Sequence, residues 1–257
     1  MKHFQDIDDV SRPVIGLADE YMPGFIDPFH SHDRAQLLYA SAGVMSVEVE
    51  AASFVVPPQR ALWIPRGMLH QVSCRGDVSL RTIYFDARYD FTGGECRVIE
   101  VSDLLRALIL EVVKFEGPYR ESGREGRIID LLADEMVSMP DAPYHVPLPR
   151  DPRLLRVCQA ILADPTDNRD LDQWASVAGM GRRTFTRLFR ANTGMGLATW
   201  RQQVRLMEAL SMLAAGQPIT TVAFDVGYDS PSAFTAMFHR SFGIPPSQYR
   251  FGGEAHH

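Results

Sequence analysis

At 257 residues the chain is long enough for two ordinary domains with separate cores. Hydrophobic residues make up 46% and charged residues 23%, and no apolar run approaches the ~20 residues that span a bilayer, which excludes a helical membrane protein. The net charge of −6 disfavours a nucleic-acid partner for the chain as a whole. However, residues 150–257 hold 12 Arg against 9 acidic residues while residues 1–149 hold 14 basic against 23 acidic ones, so only the second half suits phosphates.

In chain order, Met1–Val10 carry acids and no apolar core and do not resemble a secretory signal. Cys74, Cys96 and Cys158 are odd in number and widely spaced, so neither a disulfide framework nor a thiol zinc site is expected, and a reduced, cytoplasmic setting fits. Short β-rich runs at 44–49, 53–56, 61–64 and 80–85, broken by Gly and Pro, predict an antiparallel all-β domain. Within it stand His30-x-His32, Gln36, and Pro65-x-Gly67-x-x-His70. Strand alternation would put His30 and His32 on one face, and a turn at Pro65 and Gly67 would bring His70 in from another strand. Three imidazoles with one oxygen donor are a competent site for a divalent transition metal. Equally, His30, His32, Gln36, Arg60, Trp63 and His70 are candidates for lining a small-molecule effector pocket.

Two helical patterns follow, at 104–113 and 127–138, whose apolar stripes either cover the β-domain or pair with a second copy of the chain. Pro140, Pro143, Pro147, Pro149 and Pro152 then deny a helix its backbone donors and favour extended chain. The predicted boundaries are a sensor and possible dimerisation domain at 1–140, a Pro-rich linker at 141–152 and an all-α domain at 153–251.

The all-α segment contains an approximate repeat. Ala175 and Gly179 recur 48 residues later as Ala223 and Gly227; Phe185, Thr186, Phe189, Gly194, Trp200 and Arg201 recur 49 residues later as Phe234, Thr235, Phe238, Gly243, Tyr249 and Arg250. The one-residue difference implies a longer turn in the second copy, and each unit reads as a helix-turn-helix. In the first, Asp170 and Gln173 fit a capping box, and Trp174, Val177 and Ala178 form the buried stripe. The next helix buries Phe185, Leu188 and Phe189 and presents Arg182, Arg183, Thr186, Arg187 and Arg190. In the second, Ser230 caps a helix with Pro231 at its first position, buries Phe234, Met237 and Phe238, and presents Ser232, Thr235, Ala236, His239 and Arg240. Trp200, Val204, Met207, Leu210 and Leu213 mark a long helix between the units.

The segments GMGRRTFTRLFRANTG and AFDVGYDSPSAFTAMFHRSFGIPPSQYR resemble the AraC/XylS family of transcription regulators. That resemblance implies a double helix-turn-helix on double-stranded DNA, with base reading by Arg183, Thr186 and Arg187 in the first helix and Pro231, Ser232, Thr235 and Ala236 in the second. It also implies an effector-sensing N-terminal domain, a homodimer and RNA polymerase as a partner. The apolar Pro231 and Ala236 can touch thymine methyls but donate no hydrogen bond, so the first helix, through Arg183 and Arg187, is expected to carry most direct readout. The remaining arginines are expected to hold phosphates. The stretch from Gly24 to Gly43 and the stretch Pro65–His70 resemble the two motifs of cupin barrels, whose metal ligands fall on His30, His32, Gln36 and His70, with neutral Gln36 where that family usually has Glu and Cys74 where it commonly has Asn. A metal-dependent cupin enzyme with a helical appendage is the competing reading, and it leaves the duplicated helical half unexplained.

Overall fold

The computed structural model describes residues 12–50, 52–58, 60–74, 76–89, 93–140, 145–214 and 216–249; Met1–Val10, Pro143 and Arg250, which enter the sequence expectations, lie outside the described residues. The strands are β1 (Val14–Tyr21), β2 (Ile26–His30), β3 (Ala35–Ala42), β4 (Met45–Val49), β5 (Ala52–Val56), β6 (Arg60–Ile64), β7 (His70–Cys74), β8 (Val78–Phe85), β9 (Arg97–Glu100) and β10 (His145–Pro147). The helices are α1 (Asp103–Val112), α2 (Arg124–Ser138), α3 (Pro152–Ala163), α4 (Leu171–Val177), α5 (Arg182–Thr193), α6 (Leu197–Ala214), α7 (Ile219–Asp225) and α8 (Pro231–Phe242). The described residues form two compact units, one within residues 1–47 and 56–143, the other within residues 48–55 and 144–250. No helix among the described residues is long and apolar enough to cross a membrane.

In the first unit an antiparallel sheet runs in the order β1-β8-β3-β6-β9. Its register sets Leu37 opposite Trp63 and Ile83, and Gln36 opposite Ile64 and Tyr84. Because side chains alternate along a strand, these two sets point to opposite faces. One face, with Leu37, Tyr39, Trp63, Ile83 and Phe85, is sealed by Leu105, Leu108, Ile109 and Val112 of α1 and Ile129, Leu132 and Met136 of α2. The helical stripes therefore cover the β-domain, although Leu104 and Leu131 of the same patterns stay exposed. The other face, with Gln36, Leu38, Leu80, Thr82 and Tyr84, looks toward the β2–β7 pair.

In the second unit, β10 lies antiparallel to β5, with Val146 opposite Ser53 and Pro147 opposite Ala52. The Pro-rich stretch is thus extended where it is described, and it ends at Asp151, whose side chain accepts from Arg153 N to cap α3, with Pro152 at the first position. Trp174, Phe185, Phe189, Trp200, Phe234 and Phe238 are fully buried and form the helical core. Each contributes roughly 1.5–3 kcal/mol by removal from water. The indole of Trp200 also donates to the Pro147 carbonyl at 2.8 Å, fixing the end of β10 to α6.

Candidate nucleic-acid interface and ligand site

The first helix-turn-helix is closed by local chemistry. Gln173 N donates to Asp170 Oδ1 at 2.9 Å while Asp170 N donates to Gln173 Oε1 at 2.8 Å, a complete capping box at the start of α4. Trp174, Ala175 and Ala178 are buried, with Val177 only partly so. After residues 178–181, α5 begins at Arg182, and its N-cap residue, Gly181, offers no side-chain cap. Phe185 and Phe189 are buried and Leu188 partly so, which leaves Arg182, Arg183, Thr186, Arg187 and Arg190 exposed along one open concave surface. Arg182 donates to Asp172 at 2.9 Å, whereas Arg183, Arg187 and Arg190 make no ion pair among the described residues.

The second unit repeats the plan with a turn of residues 226–230, one residue longer than 178–181. Ser230 Oγ accepts from Ala233 N at 3.2 Å, Pro231 opens α8, and Phe234, Met237 and Phe238 are buried. Pro231, Ser232, Thr235, Ala236, His239 and Arg240 line a second concave surface. Arg240 is the one arginine or lysine among its lining residues, against four arginines on α5.

Several other C-terminal arginines do not point outward. Arg201 of α6 donates to the carbonyls of Arg169 and Asp167. Arg205, one turn on, donates to Pro165 O at 3.0 Å, Asn168 Oδ1 at 2.8 Å and Gly227 O at 3.0 Å. It therefore joins the loop that enters α4 to the turn that enters α8. Arg169 lies 4.0 Å over the Trp174 ring and pairs with Asp167. The expectation that the remaining arginines hold phosphates thus does not describe Arg169, Arg201 and Arg205, whose guanidinium groups are spent on loop carbonyls, an acid and a ring. Sequence reasoning missed this clamp; the signal was two arginines four apart flanking the buried stripe of Trp200 and Val204.

In the first unit, His30 ends β2 opposite His70 at the start of β7, and His32 lies beyond the strand end in the following loop rather than on the strand. The three imidazoles nevertheless converge, each with a ring nitrogen within 4.8 Å of the others'. Every Nδ1 sits against a backbone carbonyl: His30 against Pro28 at 2.8 Å, His32 against Arg34 at 2.6 Å and His70 against Met68 at 2.8 Å. Donation through Nδ1 leaves the lone pair of His70 on Nε2, whereas His32 Nε2 faces a second acceptor, Gln36 Oε1, and meets it as a donor while no ion is bound. His70 is wholly buried, its Nε2 has no hydrogen-bond partner among the described residues, and burial pushes its pKa down to about 4; burial likewise lowers that of His32. Gln36 joins them, with Oε1 3.1 Å from His32 Nε2 and its amide donating to Tyr84 at 3.2 Å. Arg60 and Trp63 are not brought to this group: Trp63 packs in the core under α1 and α2, and Arg60 pairs with Glu100 at 3.0 Å. Cys74 is buried, and burial raises its thiol to about 11, so it stays protonated.

Beside the histidines, between the β1-β8-β3-β6-β9 sheet and the second sheet, to which β2 and β7 belong, is a cavity of ≈ 60 Å³ lined by Leu17, Asp19, Tyr21, Phe25, Asp27, Gln36, Leu38, Val72, Leu80, Thr82 and Tyr84.

Two family profiles match the chain: an AraC-like ligand binding domain over residues 14–135 and a helix-turn-helix domain over residues 174–251. The HTH-type transcriptional regulator NimR of Escherichia coli K12 is 32% identical over 222 residues, covering 86% of this chain and 81% of NimR. The arabinose operon regulatory protein of Salmonella typhimurium is 27% identical and covers 94% of this chain and 93% of its own length. A crystal structure of ToxT from Vibrio cholerae aligns over 93% of this chain and 98% of ToxT at 11% identity, with a TM-score of 0.39.

Proposed function

The chain belongs to the AraC family of helix-turn-helix transcription regulators, and on that premise we propose that it reads DNA chiefly through Arg183 and Arg187 of α5, with α8 as the weaker reader. It is a DNA-binding regulator with a ligand-binding domain, and that membership sets aside the cupin-enzyme alternative. The observation that carries the assignment of readers is the uncommitted arginines of α5: exposed, on one face, and without an internal ion pair, unlike the arginines that clamp the loops. A bidentate arginine on guanine contributes about 1–3 kcal/mol of discrimination. Thr186 flanks them, and Ser232, Thr235, His239 and Arg240 of α8 supply polar and phosphate contacts.

Selection of bound sequences from a random DNA pool, at a fixed salt concentration, tests this. The parent chain should enrich a motif, and Arg183→Ala with Arg187→Ala should lose the strongest positions of it. An unchanged motif in the double variant would refute α5 as the principal reader.

The β unit, in the same proposal, binds an effector that shifts the population of DNA-competent arrangements. A divalent transition metal in the histidine cluster is a second reading, favoured by the buried, unpartnered Nε2 of His70. The donor set fits: His30, His32 and His70 would hold the ion through Nε2, with Gln36 Oε1 as a neutral fourth donor. Bound there, the ion would supply a fixed positive charge beside the cavity. Equilibrium dialysis with Zn²⁺, Ni²⁺ and Co²⁺ should give one ion per chain, lost in His32→Ala; no uptake by the parent chain would refute it.

A further inference from the structure

We propose that the cavity between the two sheets takes a small organic monocation, an ammonium, amidinium or guanidinium group, held by Asp19 and Asp27. The inference rests on the reading of the β unit as the effector-binding part and names the chemistry of what it binds.

Asp19 of β1 and Asp27 of β2 face the cavity from opposite sheets, and no Arg or Lys forms an ion pair with either among the described residues. The His30 imidazole lies 3.7 Å from Asp27 Oδ1, and Arg81 reaches the backbone carbonyl of Asp19 at 3.5 Å. The guanidinium of Arg81, which lies on the neighbouring strand, pairs with Glu20 instead, because strand alternation turns both of those residues away from Asp19.

The rest of the lining is matched to an organic cation more than to a hydrated metal ion. Tyr21 and Phe25 stack with ring centroids 4.1 Å apart, Tyr84 closes a further side, and Leu17, Leu38, Val72 and Leu80 are apolar. Aromatic faces attract cations that can shed water, and apolar walls offer nothing to a retained hydration shell. Thr82 is 3% exposed, lines the cavity, and its side chain has no hydrogen-bond partner among the described residues, so a buried polar side chain is left for a ligand group. Burial, with the neighbouring carboxylates of Asp19 and Asp27, raises the Tyr21 hydroxyl to about 12. The volume admits a ligand end of about four or five non-hydrogen atoms.

Acetamidinium, acetamide and acetate have one shape and three charges, which makes them the probes. Their binding to the full chain is measured by calorimetry and thermal shift at constant ionic strength, with magnesium chloride as a fourth arm. Acetamidinium should bind at least tenfold more tightly than acetamide, and acetate should not bind. Asp19→Asn and Asp27→Asn should each weaken acetamidinium tenfold or more while leaving the unliganded melting temperature in place, and Thr82→Val should weaken it several-fold. Equal binding of acetamide, preference for acetate or magnesium, or undiminished binding by both Asn variants would overturn the cation. Binding of acetamide or acetate in that cavity would keep the sensor reading, whereas silence from every probe would count against the cavity as an effector site as well.

Discussion

Arg205→Met separates the integrity of each reading helix from the spacing between them. The guanidinium spans the Pro165 and Asn168 loop and the Gly227 carbonyl through three hydrogen bonds of 2.8–3.0 Å, with Tyr228 5.8 Å away. Methionine keeps the apolar stem and the helix propensity but none of the donors. A hydrogen bond from a charged donor is worth about 1.5–3 kcal/mol, and three that share one group are not additive, so the loss should come to about 2–4 kcal/mol. Arg205→Lys should recover only part of it, because an ammonium does not present the planar fork that reaches three acceptors at once. The decisive assay is affinity for a DNA target carrying both sub-sites against one with either sub-site scrambled, at one salt concentration. Loss of preorganisation should weaken the two-site target by about tenfold or more and the one-site targets much less. If both kinds of target weaken by the same factor, Arg205 stabilises the unit without setting the distance between its readers.

With metal chelated, the N-terminal unit should lose stability as pH falls. The folded His70 has a pKa of about 4 against an ordinary 6.5, so the unfolded chain takes up the proton first; stability is full above about pH 6.5 and declines toward pH 4 by up to about 3 kcal/mol. Urea titrations across that range should show the decline flattened in His70→Asn, and parallel slopes would contradict it. Gly126→Ala in α2 should destabilise, although alanine normally gains about 1 kcal/mol over glycine in a helix, because its Cβ would overlap the Glu121 carbonyl oxygen and push on the loop whose Tyr119 hydroxyl accepts from Val14 N at 3.0 Å. A raised melting temperature would show that this loop yields freely. Asp172→Asn should free Arg182 and raise affinity for random-sequence DNA a few-fold at low salt, with stability changed by no more than about 0.5 kcal/mol since both partners are exposed. Unchanged affinity would mean that Arg182 does not reach the phosphates.

The helical half was legible because its signals are local. The Asp170–Gln173 box, the Ser230–Pro231 start and the Phe stripes each lie within one or two turns, and each appears where the sequence puts it. The sheet was harder, since a strand buried on both faces carries no alternation: β3, AQLLYASA, has six consecutive buried residues, and β1 begins with four. Trp63 shows the limit of grouping by residue type. It is a neighbour of the histidines in the sequence pattern, but the register pairs it with Leu37 rather than with Gln36, and one step along a strand moves a side chain to the opposite face. His32 shows the converse, reaching the cluster from a loop where alternation does not apply. Asp19 and Asp27 belong to no motif; only the fold reveals that two separate acids share one enclosed space.

The helices α5 and α8 both end on a glycine with φ of 74° and ψ of −9°, Gly194 and Gly243. Each of these two proposed readers is thus terminated by its own backbone, with its buried side chains separate from its exposed ones. Residues on the outward face of one can be exchanged without disturbing the other's closure, so the two halves of a binding site are free to drift separately over evolutionary time. In the laboratory, libraries randomised at Arg183, Thr186 and Arg187 should keep folding while they acquire new targets.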